Sequence, residues 1–250
     1  MFDVNRFTDI APDTCGRLYY HNELGSTNDE ARRLAELGVD DGAVVLADYQ
    51  THGRGRRGAT WLSEPGKGLL FTIILRPAFD REVWGRIALM TGLGIVTAFR
   101  QCWEVSAELK WPNDVYLMDR KCAGILTEVA EDYALVGVGL NVLGVPQNVD
   151  GLIGTVALGD VCKISLSREE VLACVLEEIF KEIGQCEEGF EGQLERLREV
   201  FYLMGRDVEF FAGRERLRGR VQGLSDQGEL LVEREGVCMS FAQASEIRLV

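Results

Sequence analysis

Apolar residues along the chain change their period several times, and each change marks an element. Residues 17–21 read as a strand. Gly25-Ser26-Thr27-Asn28-Asp29 follows, offering a hydroxyl or amide to cap a helix and an acid for its first turn. Ala31, Leu34 and Ala35 give that helix a buried face, and Gly38 stands where it should stop. Residues 43–49 and 69–75 are short apolar runs of strand length, the second rich in aromatic and β-branched side chains. Residues 82–103 have helical spacing. Residues 109–118, 122–130 and 133–142 read as strands joined by polar turns at Asp119-Arg120 and Glu131-Asp132, an antiparallel meander. After Arg168, the residues Val171, Leu172, Val175, Leu176, Ile179 and Ile183 recur at helical intervals with acids opposite. A second helix is expected over residues 193–203.

Past Gly205 the pattern changes to short alternating strands, at residues 208–211, 217–224, 230–233, 237–241 and 246–249, with Ser225-Asp226-Gln227-Gly228 as a turn. So few residues suit a small barrel packed on a larger domain. The expected division is therefore 1–204 and 205–250.

Composition narrows the function. The formal net charge of -13 over 250 residues argues against a nucleic-acid partner, because phosphate affinity needs clustered Lys and Arg. Seven cysteines lie scattered with no C-x-x-C, beside only two histidines, which suits reduced cytoplasmic thiols and offers no structural zinc site. Neither a signal peptide nor an apolar run long enough for a bilayer is visible, so no membrane partner is expected.

Within this acidic chain, Gln50-Thr51-His52-Gly53-Arg54-Gly55-Arg56-Arg57-Gly58-Ala59-Thr60-Trp61 stands apart. Gly53, Gly55 and Gly58 satisfy the letter of a dinucleotide fingerprint, but that fingerprint must open a helix, and the residues that follow are turn-like. What the segment does supply is pliable backbone carrying three guanidinium groups that fork onto carboxylate or phosphate oxygens. An anionic small ligand is favoured over a solvated basic loop or a nucleic-acid patch. Without such a ligand the crowded arginines should leave the loop mobile.

Lys110-Trp111-Pro112-Asn113-Asp114 and Lys121-Cys122-Ala123-Gly124-Ile125-Leu126 place two lysines, an amide and a carboxylate near strand ends. They suit polyphosphate with Mg²⁺, and equally a surface hairpin with an ordinary turn. Gly137 and Gly139 inside a strand indicate either close approach of a ligand or backbone, or a bend, and Asn141 closes that strand with an amide.

Taken together, Ser26-Thr27-Asn28, the Gly53 to Trp61 loop, Lys110 to Asp114, Lys121 to Leu126 and Gly137 to Asn141 resemble, in order and spacing, the motifs of biotin protein ligases. Agreement runs from about Tyr19 to Val142. The resemblance implies an α+β fold: a mixed, largely antiparallel central sheet with flanking helices, plus a C-terminal SH3-like β-barrel. It implies ATP-dependent conversion of biotin to biotinyl-AMP, then transfer to a lysine of a biotin carboxyl carrier protein or domain. Biotin would meet Ser26, Thr27, Asn28, Gln50, Gly53, Arg54, Arg56, Lys121, Gly124, Leu126, Gly137 and Gly139. ATP with Mg²⁺ would meet Arg56, Arg57, Trp61, Lys110, Asn113 and Asn141, with the metal's own ligands left open. Lys121, Arg54, Arg56, Lys110 and Asp114 would carry the chemistry, Asp114 beside the incoming lysine. The short lead before the first motif leaves no room for the DNA-binding domain that some relatives carry, so a short form is expected. Some relatives dimerise, and no residue here decides whether this chain does. Lipoate ligation and non-catalytic biotin sensing are the alternatives. Residues 143–164 match nothing firmly, and Cys122 stands where an aliphatic residue is usual, as a small apolar filler.

Overall fold

Alternation at period two sorts the central strands into two faces, and the computed structural model, which describes residues 1–146, 154–186 and 189–250, shows what covers each. The sheet contains β1 (Leu18–Leu24), β2 (Ala43–Gln50), β3 (Gly68–Leu75), β4 (Glu108–Lys110), β5 (Asp114–Leu117), β6 (Arg120–Ala130) and β7 (Tyr133–Asn141). Their spatial order is β1-β2-β3-β7-β6-β5-β4. Only β1 and β2 pair in parallel, so the sheet is mixed and largely antiparallel. Helix α3 (Thr27–Glu36) places Ala31, Leu34 and Ala35 against Val45, Ile74 and Leu135 on one face. The intervening Val44, Ile73 and Val136 point to the other face, into the main core under α4 (Ile87–Trp103) and α5 (Arg168–Gln185). Each fully buried Leu, Ile or Phe in these layers contributes roughly 1.5–3 kcal/mol of transfer free energy. Gly94 lets α4 and α5 touch closely, since a Cβ there would lie 2.7 Å from the Ile179 Cα.

Segment 81–103 is long and apolar enough in composition to cross a membrane, which the sequence reading had not recognised. Its apolar side chains are mostly buried inside the protein, where α4 is the core helix. Residues Arg81–Arg86 form a tighter 3₁₀ segment ahead of α4, in place of one continuous helix. The strand expected over 109–118 divides into β4 and β5, because Pro112 has no N–H to donate to a ladder. Helix α6 (Glu191–Glu199) stops short of residue 203 because β4 captures the following backbone: Leu109 N–H donates to the Val200 carbonyl at 2.8 Å, and Tyr202 N–H to the Leu109 carbonyl at 3.0 Å.

Two short helices, α1 (Val4–Ile10) and α2 (Pro12–Cys15), were not anticipated. With Phe7 alone buried in α1, no periodic stripe announces it, although Asp3 caps it by accepting from the Arg6 N–H at 3.0 Å. The start of the chain is tied to the sheet through Asp48. Its carboxylate accepts from Phe2 N–H at 3.1 Å, Tyr20 hydroxyl at 2.8 Å and Arg168 Nη1 at 2.7 Å. Burial alone would raise the Asp48 pKa, but Arg168, Tyr20 and the backbone donor outweigh it and hold the carboxyl below its usual range.

Beyond Gly205 a second, antiparallel sheet is built from β8 (Asp207–Ala212), β9 (Glu215–Leu224), β10 (Leu230–Arg234), β11 (Val237–Phe241) and β12 (Ser245–Leu249). Its order, β11-β10-β9-β8-β12, is consistent with an SH3-like domain. One hydrophobic cluster runs through both sheets. Trp111 Nε1 donates to the Gly228 carbonyl at 3.0 Å, fixing this unit beside the β4–β5 turn. Among the described residues, Cys102, Cys122, Cys162, Cys174 and Cys238 carry free thiols. Cys122 is fully buried, and burial drives its thiol pKa upward, in keeping with an inert filler.

Candidate active site

A cleft of about 660 Å³ opens where the C-terminal ends of β2 and β7 meet the arginine loop, the β4–β5 turn and the β12 strand. Its uncharged end is built at the start of α3. Ser26 takes the extended N-cap conformation but makes no side-chain capping bond, contrary to the expectation from sequence, so its hydroxyl is left for the cleft. Thr27 N–H donates to Gln50 Oε1 at 2.7 Å, with the Thr27 hydroxyl 3.1 Å from the same oxygen. Gln50 therefore has only its N–H donors left to offer a ligand.

The strand glycines belong to this end. A Cβ on Gly137 would lie 2.3 Å from Asn28 Oδ1, and one on Gly139 would lie 2.3 Å from the Trp61 ring. Close approach accounts for these glycines, though by side chains and not by the ligand or backbone expected from sequence. What approaches is Asn28 and the Trp61 indole, which together wall the cleft. Gly53 does not line the cleft. It sits behind Trp61, whose carbonyl would be 2.5 Å from a Cβ there.

The charged end converges from four segments. Lys121 Nζ lies 2.8 Å from Asp114 Oδ1 and 5.5 Å from the centre of the Trp61 ring. Lys110 Nζ donates to the Tyr116 hydroxyl at 3.1 Å, and burial, against the opposing pull of Asp114, holds its pKa below the usual lysine value. Both ends of the Asn113 amide are engaged: its Nδ2 donates to the Ile125 carbonyl at 2.7 Å and its Oδ1 accepts from Arg56 at 3.1 Å. Burial and then the neighbouring Arg57 lower the Arg56 pKa, against the opposing pull of Asp114.

The arginine loop is less bare than its sequence implied. Arg54 forks onto Asp29 with two bonds of 2.7 Å, and Arg57 donates to Ser245 Oγ. The backbone closes on itself as well, with Gly55 N–H donating to the Ala59 carbonyl at 2.7 Å and Trp61 N–H to the Gly53 carbonyl at 2.9 Å. Asp29, at the start of α3, neutralises Arg54, so one of the three arginines is compensated within the protein.

Ser26, Thr27, Asn28, Gln50, Arg54, Arg56, Arg57, Trp61, Lys110, Asn113, Asp114, Lys121, Gly124, Leu126, Gly137 and Gly139 all line this one cleft. Asn141 does not. It is buried, and its Nδ2 donates to the Val156 carbonyl at 3.3 Å, which ties the chain there to β7. The residues sequence reasoning missed come from the far end of the chain, Ser245, Glu246 and Arg248 among them. No motif marks them, since only the docking of the second sheet brings them in. In the unassigned stretch 143–164, of which 147–153 lie outside the described residues, Lys121 N–H donates to the Gly154 carbonyl at 2.7 Å and Val156 N–H to the Lys121 carbonyl at 3.0 Å. That short pairing fixes the backbone of the central lysine.

The family model of the biotin/lipoate A/B protein ligase family matches residues 24–142, the stretch that carries most of the cleft. The biotin–[acetyl-CoA-carboxylase] ligase of Mycobacterium tuberculosis is 30% identical, over 84% of this chain and 81% of that protein. The chain belongs to the biotin protein ligase family. The bifunctional ligase/repressor BirA of Bacillus subtilis is 28% identical, over 92% of the chain and 74% of its own length. The solved biotin protein ligase of Aquifex aeolicus, in complex with biotin and ATP, superposes with a TM-score of 0.83 at 30% identity, covering 94% of this chain and 99% of that one.

Proposed function

We propose that this chain activates biotin with ATP, forming biotinyl-AMP and pyrophosphate, and then transfers biotin to a lysine of a biotin carboxyl carrier protein or domain. The observation that carries the reading is the union, in one cleft, of a hydroxyl- and amide-lined end with a cationic end, within a chain of net charge -13. A biotin ureido ring suits the first, and its carboxylate and the ATP phosphates suit the second.

Bringing a carboxylate to an α-phosphate means joining two anions. Lys121 and Lys110, with Arg56, offset that repulsion and stabilise the charge that develops as the carboxylate oxygen attacks phosphorus and pyrophosphate leaves. Lys121 stands between Asp114 and Gly124, where the two ends of the cleft meet. Asp114, released from Lys121 when phosphate takes its place, orients the acceptor amine or accepts its proton in the second step. Mg²⁺ brought with ATP would add positive charge where the phosphates lie, and the Asp114 carboxylate beside Lys121 offers it a hard oxygen donor.

The free thiols suit a cytoplasmic protein. Biotin-dependent exchange of labelled pyrophosphate into ATP tests the first step, and mass gain of one biotin on a carrier domain tests the second. Exchange supported by lipoate in place of biotin would overturn the substrate assignment.

A further inference from the structure

The wall of the uncharged end is held from behind by two residues that do not line it. Thr72, on β3, is fully buried and lies opposite Gly137 in the strand register. Its hydroxyl oxygen is 2.6 Å from Asn28 Oδ1 and 2.8 Å from Thr27 Oγ1. Glu128, on β6, accepts from Asn28 Nδ2 at 3.0 Å and lies 3.6 Å from both Arg54 and Arg32.

Counting hydrogens fixes the direction of the bonds from Glu128 to Thr72 and limits the choice at Thr27. A carboxylate only accepts, so the Asn28 NH₂ must face Glu128 and its oxygen must face Thr72. That oxygen also only accepts, so the single Thr72 hydrogen goes to Asn28. Thr27 then has to give its own hydrogen to Thr72 or to Gln50 Oε1, and either choice leaves Thr27 with lone pairs and no hydrogen for the cleft.

We propose that Glu128 and Thr72 are positioning residues that hold Thr27 as a hydrogen-bond acceptor, so that the cleft selects a ligand ring bearing an N–H. This rests on the biotin reading above. The ureido ring of biotin has such a donor, whereas the dithiolane of lipoate has none and would leave the Thr27 oxygen desolvated and unpaired. Gly137 is part of the same device, because a side chain there would displace the Asn28 amide.

Paired substitutions test this, with biotin affinity measured by calorimetry, KM and kcat by exchange, and a thiolane-valerate analogue lacking the urea as the control ligand. Glu128→Leu and Thr72→Val should each raise biotin Kd and KM about tenfold, the scale of one lost charged or buried hydrogen bond, with kcat changed less than about threefold. Glu128→Gln and Thr72→Ser, which can keep the bonds, should stay within about threefold of wild type. Affinity for the analogue, which has no N–H to donate, should be the same in all five proteins. A fall in kcat at unchanged KM, equal effects of the conservative and disruptive variants, or parallel loss of the analogue would overturn the proposal. If Glu128→Leu does not fold, the Thr72 pair decides alone. If wild type binds no biotin, the functional reading fails. If wild type binds and the variants match it, only this inference does.

Discussion

The two ends of the cleft are built on different principles. At the α3 end, Thr27, Asn28, Thr72 and Gln50 are buried or half-buried and bonded to one another, and the glycines opposite them admit no side chain. At the loop end, Arg54, Arg57, Lys110 and Lys121 are held by the side chains of Asp29, Ser245, Tyr116 and Asp114, contacts that a phosphate can displace. A neutral ring carries no charge to organise its own site, so the protein must do it beforehand. Anions bring strong fields and can recruit cations already parked nearby. Specificity should therefore reside in the rigid end and rate in the adjustable one.

The largest expected effect belongs to the adjustable end. Lys121→Ala should lower biotin-dependent pyrophosphate exchange on the order of a hundredfold or more while biotin binding stays nearly intact, because the charge matters where carboxylate and phosphate meet. Equal losses in exchange and in biotin affinity would erase the distinction between the two ends.

Next comes the anchor of the rigid end. Asp48 lies two residues before Gln50 on β2, and Asp48→Asn leaves Arg168 buried beside a neutral amide. That should cost about 3 kcal/mol in chemical denaturation at neutral pH. The sign with pH follows from the depressed Asp48 carboxyl: its stabilisation is present above the ordinary carboxylate pKa and is lost as pH falls through the lower folded value. Wild-type stability should thus decline below about pH 4 more steeply than that of the variant, which has no carboxyl to titrate. Parallel pH curves would remove Asp48 from this role.

A smaller effect is expected at the loop. Arg54, Arg56 and Arg57 are trypsin sites, and biotin with a non-hydrolysable ATP analogue should slow cleavage there by severalfold. The change is modest because Asp29 and the loop's own backbone bonds already order it. Unchanged cleavage would mean that the loop is set in advance and is no lid.

Much of this was legible in the chain. The strands and α3 follow from apolar period, and the cleft residues lie in short motifs close to strand ends, where local sequence and local geometry coincide. Four things were hidden for physical reasons. Helix α1 buries one side chain and has no stripe to detect. Neutralisation of Arg54 by Asp29 links residues 25 apart through the meeting of a loop and a helix start. Asn141 looked like a ligand by its place in a motif, yet the pairing of 154–156 beside Lys121 turns its amide inward to Val156. Ser245 reaches the site only because a second sheet docks there.

The central claim is that one cleft joins biotin to AMP, and a single-turnover reaction tests it most directly. Enzyme mixed with biotin and α-labelled ATP, without any acceptor protein, should accumulate one equivalent of labelled biotinyl-AMP that a biotin carboxyl carrier domain then discharges to AMP. If no label is retained with biotin present, or if it is retained equally without biotin, the account is wrong.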